Sequence, residues 1–253
     1  MQIDWTPLRR ELARHRARGM ALHFWWRDDD ATKPSAALDQ LETTAVALNV
    51  PVHLAIIPAL AEASLAQHVK RSDHLVPVVH GWQHKNHAPS GQKKAEFGAV
   101  RSGAIAELQR GLDQMRQLFG TGMVPVFVPP WNRINPAYLA PLADAGYAGL
   151  STFTPRQTDY VADGLMQINT HIDPIDWRDT RGLKDPATLV AQTVEVLAAR
   201  ADGQSDSSEP LGYLTHHLVH TADVWDFTQQ FVSELLDGGA LPQPIAPLLE
   251  KHR

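Results

Sequence analysis

Five places in this chain carry side chains that could act together on a polar bond. They are Arg27-Asp28-Asp29-Asp30, His80 with His84, Pro129-Pro130-Trp131-Asn132, Asp173 to Asp176-Trp177, and Thr215-His216-His217 with His220 just beyond. Three adjacent carboxylates repel one another unless a cation or a shared proton relieves them. Histidines four residues apart lie on one face of a helical turn, which lets both imidazoles reach one ion. Two His and one Asp make three protein ligands and leave positions open for water and substrate, as in a catalytic rather than a structural metal centre. A second Asp beside the ligand Asp could serve as general base, and a His from another part of the chain as general acid. Taken singly, each cluster has a plain explanation as a solvated turn, a chance pair of surface histidines or a Pro-Pro stop. What sets them apart is that each follows a short apolar run.

Those runs are of strand length: Ala21–Trp26, Val52–Ile57, Leu75–Val79, Pro125–Val128, Ala148–Thr152, Leu165–Ile168 and Leu211–Leu214. Each is bounded by Pro, Gly or polar residues. Between them lie helix-length segments, Ser35–Leu48, Leu60–Lys70, Ala99–Phe119, Pro136–Ala145, Pro186–Ala201 and Ala222–Leu236. Strand followed by helix, repeated along the chain, predicts an α/β fold with a parallel sheet and helices outside. Closure into a TIM-like (β/α) barrel leaves no strand edges to protect. In such a barrel the functional side chains gather where strands end, and the five clusters sit there. Asn135 before Pro136 predicts a capped helix start, and Gly120 predicts the stop of the longest helix. Residues 201–210 read as a polar surface loop, so the chain is expected to be one domain over residues 1–253, with an N-terminal helix within 1–20 and a tail over 238–253.

Composition narrows the chemistry further. The 253 residues include 13 His and no Cys, which removes disulfides, thiolate metal sites and Cys nucleophiles together and leaves imidazole and carboxylate as metal donors. The net charge is −5 with acids and bases interspersed, so no basic footprint for nucleic acid is present. The N-terminal stretch is charged and helical in pattern, unlike a secretory leader, and no apolar run approaches the ~18 residues of a membrane span. The expectation is a cytoplasmic chain with neither nucleic acid nor membrane as partner.

Taken in order, the clusters resemble the motifs of the polysaccharide deacetylase family, the NodB-like carbohydrate esterases. The paired-Asp motif of that family looks like Arg27–Asp30, and its H-[ST]-x-x-H motif is similar to His80–His84 with Gly81 at the small position. Its Pro-aromatic motif matches Pro129–Asn132, its D-x-x-D-W-like segment resembles Asp173–Trp177, and its late L-x-H resembles Leu214-Thr215-His216. The resemblance runs from about residue 21 to residue 217 and implies a distorted (β/α)7 barrel. It also implies hydrolysis of acetyl groups on N- or O-acetylated sugars with a divalent metal, often zinc.

The resemblance further implies a metal held by Asp30, His80 and His84, with Asp29 as base and His216 as acid, Asp176 orienting His216. Substrate contacts would come from Trp131, Asn132, Arg27, Asp28, Trp177 and His217, with Trp131 the exposed ring among the tryptophans. Aligning the motif's small residue with Ala31 makes Asp29 the base and Asp30 the ligand, whereas the other frame uses Asp28 and Asp29. Val128 stands where the family has an Arg paired with its catalytic Asp, and Arg27 is the candidate replacement. Strand alternation lets only one of His216 and His217 face the site; the L-x-H spacing favours His216. The substrate implied is an acetylated saccharide or sugar-containing small molecule. A metal-dependent hydrolase of a non-sugar amide and a non-catalytic sugar-binding relative are the alternatives.

Overall fold

The structure, a computed structural model, describes residues 2–250. In chain order its elements are α1 (Thr6–Ala17), β1 (His23–Ala31), α2 (Ala36–Leu48), β2 (Val52–Ile56), α3 (Ala63–Val69), β3 (Leu75–His80), α4 (Ala104–Phe119), β4 (Val126–Val128), α5 (Leu139–Ala145), β5 (Gly149–Leu150), β6 (Tyr160–Ala162), β7 (Leu165–Gln167), α6 (Pro186–Ala201), β8 (Leu211–Thr215), α7 (Ala222–Asp237), β9 (Leu241–Pro242) and α8 (Ile245–Glu250). The strands form one sheet in the order β6-β7-β5-β4-β3-β2-β1-β8, with β9 beside β1. Every pairing is parallel except the β6–β7 hairpin. This is the expected α/β architecture with helices outside a mainly parallel sheet.

The strand ladder itself is not closed. The chain just after β7 bridges β8 instead, through Ile172 and Tyr213, with His171 N–H donating to Gly212 O at 2.8 Å and Leu214 N–H to Ile172 O at 2.8 Å. Close approach at this seam requires glycine, because a Cβ on Gly212 would lie 2.3 Å from Asn169 O and 2.5 Å from Thr170 Cα. Glu209, at the end of the loop that reads as merely polar in sequence, is buried here and accepts hydrogen bonds from the backbones of Arg156 and Asn169.

Apolar packing has two layers. Trp25, Ala55, Val78, Val126, Val128, Met166 and Ile168 fill the inside of the sheet, while a larger set including Trp26, Leu54, Val79, Phe127 and Tyr213 packs against the helices. Alternation along each strand sends neighbours such as Trp25 and Trp26 to opposite layers. The described part of the C-terminal tail is not loose: α8 places Ile245 and Leu249 in the inner layer.

Several element boundaries differ from expectation. The helical segments expected from Leu60 and from Pro136 begin late, at Ala63 and at Leu139, because a 3₁₀ turn precedes each, Pro58–Leu60 and Pro136–Tyr138. Helix α4 starts at Ala104 because residues 99–103 run as turns up to a left-handed Gly103. Asn135 caps its turn as expected by accepting from Ala137 N–H, and Gly120 ends α4 at φ 59°.

Candidate active site

The site begins with an irregularity in β1. Asp28 pairs with Leu54 of β2 and Ala31 with Ile56, so one extra residue is accommodated on β1 and a bulge forms. Asp30 takes a positive φ of 79° there, a conformation an L-residue adopts only at a cost. Alternation up to the bulge sends Arg27 and Asp29 inward and Asp28 outward, and the bulge gives Asp30 a direction of its own. Three consecutive carboxylates therefore reach three different surroundings.

Asp30 meets the two histidines. Its Oδ1 lies 3.1 Å from His80 Nε2 and 3.3 Å from His84 Nε2. One potential ligand atom from each of these residues falls within 4.8 Å of the others, and among the described residues no other group of three His or carboxylates does so. His80 Nδ1 lies 3.0 Å from Val128 O, a carbonyl that can only accept, so Nδ1 is the donor there and Nε2 is the ring atom turned to Asp30. This donor set, two imidazoles and one carboxylate, fits a divalent ion such as zinc. Burial alone would raise the Asp30 carboxyl, but the hydrogen bond with His80 and the charges of His80, His216 and His84 hold it well below the usual carboxylate range. Burial and the charge of His80 lower His84, a shift in the direction that favours the neutral imidazole a metal ligand requires.

His84 does not reach the site on a helical turn, as its spacing suggests. Residues 81–85 form an irregular turn with Gly81 at φ 58° and His84 at φ 57°. The His84 ring then rests against Trp131, with centroids 4.3 Å apart. Trp131 and Asn132 are themselves left-handed, at φ 57° and 56°, following the Pro129-Pro130 stop of β4.

Asp29 pairs with Arg27. The guanidinium donates through Nε to Oδ1 at 2.9 Å and through Nη2 to Oδ2 at 3.0 Å, a bidentate bridge with both partners buried. Arg27 also donates to Ser151 Oγ at 2.7 Å and to Asn132 Oδ1 at 2.6 Å, which fixes it from β5 and from the loop after β4. His216 Nε2 lies 4.0 Å from Asp29 Oδ2, on the same side as the triad.

The remaining expected residues are placed differently. Asp28 is wholly buried, accepting from Thr215 Oγ1 at 2.6 Å and from His217 N–H at 2.9 Å, with His217 Nδ1 against its other oxygen. Asp28 and His217 thus tie β1 to the end of β8 on the outer face. Arg27 is fully buried and spends its fork on Asp29. Asp176 does not orient His216: its carboxylate accepts from the backbone N–H of Arg178 and Asp179, capping its own turn. The group that does reach toward His216 is Trp177, whose ring meets the imidazole edge-on at 4.7 Å and whose Nε1 donates to Asp173 Oδ2 at 2.8 Å. Trp177, 42% exposed, is also the open ring at this site, while Trp131 and Trp82 are half-buried. Of the residues bearing on the site, Ser151 and a buried Glu96 beneath the His84 turn carry no motif that would have marked them.

No family model matches the sequence, and no curated protein matches it. Solved structures do. A Mycobacterium smegmatis protein provisionally named a polysaccharide deacetylase superposes with a TM-score of 0.68 at 17% identity over 93% of this chain and 91% of that one. A family 4 carbohydrate esterase from Streptomyces lividans, solved with acetate, gives 0.55 at 13% identity over 89% and 94%. A pseudoenzyme of the same esterase family from Bacillus anthracis gives 0.57 at 12% identity over 90% of this chain and 66% of that chain. The fold is that of the polysaccharide deacetylases and family 4 carbohydrate esterases. Since the same fold serves a pseudoenzyme, the activity of this chain has to be argued from its own side chains.

Proposed function

We propose that this protein is a metal-dependent hydrolase that removes acetyl groups from N-acetylated or O-acetylated sugars. The observation that carries the reading is the convergence of Asp30, His80 and His84 beside a buried, bidentate Arg27–Asp29 pair. Asp30 Oδ1 and the Nε2 atoms of both histidines would hold the ion. A bound divalent metal supplies a Lewis acid and a water of lowered pKa.

The chain's own groups account for the proton movements. Asp29 accepts the proton of the attacking water at the carboxylate that the Arg27 fork holds and aims. His216, 4.0 Å from Asp29 and packed against the Trp177 ring, donates a proton from Nε2 to the leaving nitrogen or oxygen. A backbone N–H near Trp131 would stabilise the developing oxyanion. The exposed Trp177 ring offers an apolar face to a sugar.

The test is metal analysis followed by acetate release from defined acetylated saccharides, with and without added zinc. Metal binding near one equivalent and zinc-dependent acetate release are expected, both lost in Asp30→Ala. Metal without acetate release would favour a hydrolase of another amide. A chain that binds no metal would remove the enzymatic readings and leave a sugar-binding relative.

A further inference from the structure

Glu96 lies outside every motif, yet it is 1% exposed and its carboxylate is aimed at the backbone of the turn that carries His84. Its Oε2 accepts from Trp82 N–H at 3.0 Å, and its Oε1 accepts from Gln83 N–H at 2.8 Å and from Lys85 N–H at 3.4 Å. Three amide dipoles converge on one carboxylate, the arrangement of a built anion cradle whose anion belongs to the protein. A turn with two left-handed residues has no ladder of its own to satisfy these donors, and the carboxylate supplies the acceptors that the backbone lacks.

The space this carboxylate fills belongs to another residue. A Cβ built on Gly81 would lie 2.2 Å from Glu96 Oε2 and 2.6 Å from the Pro130 ring. Gly81 and Glu96 are therefore mutually exclusive with any larger side chain at position 81. Neither can change alone without disturbing the turn. The carboxylate is held from both of its neighbours: Ala95 N–H donates to Asn86 Oδ1 at 3.0 Å and Ala95 O accepts from His87 N–H at 2.9 Å, while Phe97 packs edge-on against Phe127 and Tyr138 in the core. A rigid anchor thus grips a turn that has no regular structure.

We propose that Glu96 is a positioning residue for the Asp30–His80–His84 centre, setting the approach of His84 through the backbone of residues 82–85. It occupies the room left by the glycine that stands at position 81, so the two residues act as one unit. This inference rests on the metal-centre reading above, and the measurements below separate the two.

The experiment compares wild type with Glu96→Gln, which preserves shape but turns an amide N–H toward backbone donors, and with Glu96→Asp, which keeps the carboxylate on a shorter arm. Zinc affinity by chelator competition, the visible spectrum of the cobalt-substituted protein and hydrogen exchange of the 82–85 amides are read on each folded protein. Glu96→Gln should weaken zinc binding about tenfold or more, alter the cobalt bands and speed exchange at Trp82, Gln83 and Lys85. Glu96→Asp should recover part of each loss. Should Glu96→Gln fail to fold, the same three readouts on Glu96→Asp decide. Wild-type zinc affinity and unchanged cobalt bands in the folded variant would overturn the positioning role even if stability fell. Wild type that binds neither zinc nor cobalt would instead overturn the metal-centre reading, with the exchange data still reporting on the turn.

Discussion

At the scale of single residues, the site turns on which carboxylate of a run of three does what. Asp28, Asp29 and Asp30 are chemically identical, and their surroundings make them different: one ties two strands together, one is gripped by a guanidinium and one faces two imidazoles. Arg27 fixes the orientation of Asp29, because its buried fork meets both carboxylate oxygens. Replacing Arg27 with Met should therefore lower kcat by about 10²-fold or more while zinc content stays near that of wild type. Lysine should not restore activity, since a point charge lacks the fork that meets both oxygens. Parallel loss of metal and activity in Arg27→Met would show that the arginine holds the whole centre and not the base.

At the scale of elements, strand ends deliver the chemistry and helices hold the strands, but one contact between elements has its own pH signature. His53 on β2 is buried inside the sheet, with Nδ1 3.2 Å from Trp26 O and Nε2 accepting from Ile245 N–H at the start of α8. Both nitrogens are used only when the ring is neutral; a proton on Nε2 would face the Ile245 N–H. Burial accordingly pushes the His53 imidazole down to about 4. The unfolded chain, with an ordinary His near 6.5, binds more protons than the folded one between those values, so stability rises with pH across that window and falls as pH drops through it. The full effect is on the order of 3 kcal/mol. Denaturant melts at pH 4.5 and 7 should show this loss for wild type and a flatter profile for His53→Gln, which is less stable at neutral pH. An unchanged slope would assign the acid sensitivity to other groups.

At the scale of the whole molecule, the molecule depends on a seam where the ladder stops and a bridge takes over. Gly212 lets β8 approach the chain at Asn169 and Thr170, so Gly212→Ala should destabilise the fold by about 2–4 kcal/mol through overpacking, read as a fall in denaturation midpoint. Wild-type stability there would mean that the seam is loose. The seam was not legible in the sequence, and neither were β6, whose residues are all half-buried and lack alternation, nor β9, only two residues long. The long strands and their polar ends were legible because a parallel sheet buried on both faces leaves apolar runs that stop where chemistry begins. The partner of His216 was not, since D-x-x-D-W spacing does not say which way a turn folds, and Asp176 spends its carboxylate on that turn. Glu96 escaped notice because its partners are backbone amides, which leave no pattern of side chains. The Arg27–Asp29 bridge has one more consequence. Its span is set by the pleat of a single strand, so sliding of β1 against β4, or lengthening of the loop at Trp131 and Asn132, would leave the base in place at the expense of one hydrogen bond. The hold of Arg27 on Asp29 is thereby independent of the loop that carries Asn132, so that loop can vary in length while the buried pair persists.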